Sequence, residues 1–87
     1  MKVKFFSPDD HVSFDNVISI SMDGPEGKFM VLANHAPFLI STLSGVMVIK
    51  IINQKEEKIM IDNGVLEVAG NECNILTKTF SLHVNEF

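Results

Sequence analysis

Three histidines, one cysteine, eleven acids and a scatter of serines are the side chains in this sequence that could carry chemistry. His35 comes first, because imidazole is the common general base near neutral pH. A base needs a nucleophile beside it. The serines follow no Gly-x-Ser-x-Gly turn, and Cys73 falls in a strand-like run. His11, His35, His83 and Cys73 match neither Cys-x-x-Cys nor His-x-x-x-His spacing, so they form no recognisable metal-ligand set. Asp9-Asp10 and Glu56-Glu57 are adjacent pairs. Neighbours on a strand point to opposite faces, so neither pair can share a proton. Gly24-Pro25-Glu26-Gly27 lacks the lysine and the helix start of a phosphate loop, and its proline removes an amide donor. No catalytic residue, metal site or cofactor is expected. His35 and Pro37 are read together as shaping a loop between strands.

The elements that would hold that loop are strands. Residues 24–45 organise the chain. Two glycines bracket Pro25-Glu26 in a turn signal. A short apolar run, Phe29 to Leu32, follows, then a polar break at Ala33-Asn34-His35. Pro37 holds Ala36 out of the helical region. Phe38 to Leu43 is apolar again, and Gly45 ends it. Before this stretch, Val3 and Phe5 alternate with Lys2 and Lys4, and Ser7-Pro8-Asp9-Asp10 reads as a turn. Val12 to Met22 reads as one longer strand with a bulge or bend at Asp15-Asn16 and Asn16 on the inward side. After it, residues 46–52 are apolar on both faces apart from Lys50, and residues 53–58 read as a polar hairpin loop. Lys58 to Asp62 returns, Asn63-Gly64 turns, and Val65 to Val68 is a short strand. Ala69 to Glu72 turns again, Cys73 to Phe80 is the last full strand, and the tail is an edge strand. No segment shows helical periodicity. Many short strands with frequent turns predict an all-β sandwich or barrel, mostly antiparallel.

Composition narrows the partners. At 87 residues the chain is expected to form a single domain over 1–87. Net charge is −4 and all seven basic residues are lysine. Without arginine or a basic stripe, nucleic acid is not an expected partner. The single cysteine and the absence of a leader predict a reducing, cytosolic setting. No run approaches the roughly 18–20 apolar residues of a membrane span. The apolar residues Phe38, Leu39, Ile40, Met47, Ile49, Ile51 and Met60 exceed what one side of a small sheet needs. They fill either a two-sided core or a patch meant for another protein.

Three blocks carry a resemblance. They are Gly24-Pro25-Glu26-Gly27 leading through a short apolar strand to His35-Ala36-Pro37; Asp62-Asn63-Gly64-Val65-Leu66-Glu67-Val68; and Lys4-Phe5-Phe6-Ser7-Pro8-Asp9. In this order and spacing the sequence resembles the ε subunit of F-type ATP synthases, over roughly residues 2–80 of the chain. The resemblance implies a flattened β-sandwich of about ten strands. It also implies a non-catalytic subunit of the rotating central stalk, which joins the γ subunit to the membrane-embedded c-ring. Through that joint, proton- or sodium-driven rotation reaches the catalytic head. The expected location is the cytoplasmic side of a bacterial inner membrane, peripheral and held through the complex.

By position, the resemblance implies that Ser7, His35, Ala36, Pro37, Phe38 and Leu39 face γ. It implies that the turn Glu26, Gly27, Lys28 faces the c-ring. Lys28 stands where many members have an acid, and Asn63 replaces the first of two glycines. Asn accepts a left-handed backbone nearly as Gly does. In the family two antiparallel helices usually follow the sandwich and supply self-inhibition. The sequence ends at Phe87, where they would begin, so coupling without self-inhibition is the expectation. The alternative expectation is a free-standing small β-barrel that binds a ligand or a peptide along a sheet edge.

Overall fold

The computed structural model describes residues 1–24, 27–33, 37–53 and 56–82. Ten strands form two five-stranded sheets packed as a sandwich. The first sheet is built from β1 (Lys2–Phe6), β2 (His11–Phe14), β5 (Phe38–Thr42), β8 (Gly64–Ala69) and β9 (Glu72–Thr77), in the order β2-β1-β9-β8-β5. The second holds β3 (Val17–Gly24), β4 (Gly27–Leu32), β6 (Gly45–Ile51), β7 (Glu56–Ile61) and β10 (Phe80–Leu82), in the order β10-β7-β6-β3-β4. β1 pairs antiparallel with β2 and parallel with β9; the other described pairs are antiparallel.

Strict alternation decides which side chains enter the core. Val3 and Phe5 of β1, Leu66 and Val68 of β8, and Cys73 and Ile75 of β9 point inward from the first sheet and are buried. Ile20, Val31, Met47, Ile49, Ile59 and Ile61 meet them from the second. Phe5 is the central knob. Its ring lies 6.1 Å from Phe14 in an edge-on arrangement and 6.0 Å from Phe80 of the opposite sheet. Such pairs add about 0.5–1.5 kcal/mol beyond burial. Met47 and Ile49 therefore belong to the core, and the two-sided reading of β6 holds for them.

Four features differ from the expectation. Val12 to Met22 is not one bent strand: β2 and β3 lie in different sheets. Asn16 turns the chain between them at φ 58°, exposed rather than inward. Its short side chain makes this left-handed backbone accessible. The new strand is anchored at once, because the Met1 ammonium donates to the Val17 carbonyl at 2.8 Å and the Val17 amide donates to the Met1 carbonyl at 2.9 Å. The bulge comes two residues later, between Val17 and Ser19 against β6. One extra residue reverses the alternation, so Val17 and Ile20 are both buried while Ile18 is exposed.

The loop after β6 is also shorter than expected. Glu56 and Glu57 belong to β7, because Glu56 stands opposite Lys50 and pairs with it at 3.7 Å. Asn63-Gly64 is a turn, but it carries the chain from the second sheet to the first instead of closing a hairpin. Asn63 takes φ 49°, as its type allows. Gly64 is required by close approach: a Cβ there would lie 2.7 Å from the Leu76 carbonyl oxygen. The Asp62 amide donates to the Thr77 hydroxyl at 3.2 Å, and that hydroxyl donates to the Asp62 carbonyl at 2.9 Å, which ties the crossing to β9. Finally, the last long strand stops at Thr77, and β10 begins at Phe80 as an edge strand of the other sheet.

Candidate protein interface

The informative side chains are those that alternation turns outward. On the first sheet, register places Phe6 opposite Leu76, Leu76 opposite Val65, and Val65 opposite Ser41. Three large apolar side chains thus form a row across β1, β9 and β8. They are 38 %, 52 % and 36 % exposed for Phe6, Leu76 and Val65. Leu39 of β5 sits one step along the strand from this row, opposite Glu67, and is 68 % exposed. The row that ends in Leu39 is otherwise polar: Lys4, Asn74 and Glu67 stand opposite one another in turn. Lys4 also reaches Glu72 at 3.8 Å. The outer face of the first sheet thus carries an apolar strip with a mixed-charge border.

The second sheet has its own outer face. Met30 and Leu32 of β4 and Met60 of β7 are exposed there. Ser19 and Ser21 stand opposite Leu32 and Met30 and are nearly covered despite pointing outward. The residues singled out as surplus therefore divide. Met47 and Ile49 are core, Phe38, Ile40 and Ile51 are half-buried against it, and Leu39 and Met60 are exposed.

The residues carried over by position are distributed unevenly. Pro37 is exposed at the start of β5. Phe38 packs inward, so of the adjacent pair Leu39 is the side chain that looks outward. Ser7 directly follows Phe6, half-buried, and its amide donates to the Asp10 carbonyl at 2.9 Å. β1 and β5 are separated by β9 and β8, so Leu39 sits on a strand about 14 Å across the sheet from β1, whose end Ser7 follows. Glu26, His35 and Ala36 lie outside the described residues. Gly27 stands opposite Gly24, and Lys28 opposite Asp23 with its side chain exposed. Phe6, Val65 and Leu76 were not singled out from sequence. Their signal is an apolar residue at an outward position on each of three strands, visible only once those strands are neighbours.

Among the described residues no three His, Cys, Asp or Glu side chains gather where a metal could sit. Cys73 is fully buried, and burial pushes its thiol up to about 12. It is therefore a protonated core residue rather than a nucleophile. No helix among the described residues is long and apolar enough to cross a membrane.

Comparison with known proteins agrees with this architecture. Residues 1–83 match the family model described as the ATP synthase delta/epsilon chain β-sandwich domain. The chain is 57 % identical over 76 residues to the ATP synthase epsilon chain of Wolbachia pipientis wMel, covering 87 % of this chain and 67 % of that one. It is 37 % identical over 81 residues to the epsilon chain of Rickettsia bellii (strain OSU 85-389), covering 91 % and 75 %. Among solved structures, a chain of the Euglena gracilis mitochondrial ATP synthase OSCP/F1/c-ring assembly superposes with a TM-score of 0.81 at 20 % identity, covering 92 % of this chain and 51 % of that one. A chain of the Tetrahymena thermophila central stalk/c-ring gives 0.74 at 17 % identity, covering 92 % and 64 %. The chain thus spans about two thirds of the Wolbachia relative and less of the two solved chains. Two packed five-stranded sheets, an uncovered apolar strip and a match over nearly the whole sequence lead to one assignment: this chain belongs to the ATP synthase delta/epsilon family, whose β-sandwich domain it forms.

Proposed function

We propose that residues 1–87 act as one domain in the central stalk of a proton- or sodium-translocating ATP synthase, joining the γ subunit to the c-ring without catalysing a reaction. The single observation that carries this is the outer face of the first sheet. Phe6, Leu76, Val65 and Leu39 leave apolar surface in water that a small free domain gains nothing by exposing. Covering them with γ would bury that surface, and Lys4, Glu67 and Glu72 would form the polar rim.

The work proposed is mechanical. Rotation passes through the subunit only if it resists shear, and a sandwich whose two sheets interlock through a close-packed apolar core does so. The strip binds γ together with His35, Ala36, Pro37 and Ser7. Glu26, with Gly27 and Lys28 of β4, meets the polar loops of the c-ring. Lys28 calls for an acidic partner there, where an acid at this position would call for a basic one. The setting is the cytoplasmic side of a bacterial inner membrane, with the chain held there by its neighbours.

The test is co-purification of the chain with γ. Leu76→Glu and Leu39→Asp place unpaired charges in the covered strip. Each should weaken binding by at least about a hundredfold, roughly 2.7 kcal/mol, since burying an unpaired charge costs a few kcal/mol. Wild-type affinity in both variants would show that γ sits elsewhere.

A further inference from the structure

We draw no further inference here: the strongest candidate, the outer face of the second sheet, where Met30 and Leu32 of β4 and Met60 of β7 stay exposed on either side of the nearly covered Ser19 and Ser21 of β3, carries nothing because nothing in the structure shows what covers it.

Discussion

Phe5 shows how much a single position can decide. It is fully buried and touches rings from β2 and from β10 across the core. Phe5→Ala should cost about 3–5 kcal/mol in urea unfolding, from lost burial plus the cavity left behind. Gly64→Ala fails for the opposite reason: the added methyl meets the Leu76 backbone at 2.7 Å, so about 1–3 kcal/mol should be lost. Cys73 gives a pH signature. Its folded pKa of about 12 lies above the value of 9.0 for a solvated thiol, so the unfolded chain releases this proton first. The stabilising contribution is complete below pH 9 and falls as pH rises toward 12. Stability curves for wild type and Cys73→Ala should therefore converge over that range. Curves that stay parallel would mean the thiol is hydrated in the folded state. At this scale much was legible. Val3 and Phe5 alternate with lysines, and Asn63 is a residue type that tolerates positive φ. Phe6 and Leu76 were not legible, because an outward apolar residue looks like any other until its cross-strand neighbours are known.

Strands were easier to find than their sheets. Period-two patterns located nearly every strand, and the turn residues Asn16, Asn63 and Gly70 adopt the left-handed backbone that their types permit. The pattern could not say whether a turn closes a hairpin or crosses between layers. Asn16 and Asn63 both cross, and that choice depends on long-range pairing, not on local residues. The β6–β7 loop was misjudged because Glu56 and Glu57 look like loop residues in isolation. Opposite Lys50, Glu56 has a cross-strand partner and extends the ladder. That pair is exposed, so Lys50→Ala should change stability by less than about 1 kcal/mol in chemical denaturation. A larger loss would mean that the pair fixes the hairpin register.

A chain of 87 residues buries only about 60–65 % of its unfolded surface, so its own margin is thin. A partner that binds only the folded form adds RT ln(1 + [L]/Kd), about 2.7 kcal/mol at a hundredfold excess over Kd. The melting temperature should accordingly rise with γ concentration. Fold class followed from sequence alone, since strand periodicity and turn spacing leave few other architectures. The apolar strip did not, because it exists only as a juxtaposition of β1, β9 and β8 with β5 beside them.

The central claim is that the outer face of the first sheet, and not that of the second, is the surface γ covers. It is tested most directly by measuring γ affinity for Leu76→Glu and Leu39→Asp beside Met30→Glu, an exposed position on the opposite face. Circular dichroism would first establish that all three variants fold. The account predicts at least about a hundredfold weaker binding for the first two and an unchanged Kd for the third. Equal affinity in all of them, or a loss confined to Met30→Glu, would contradict it.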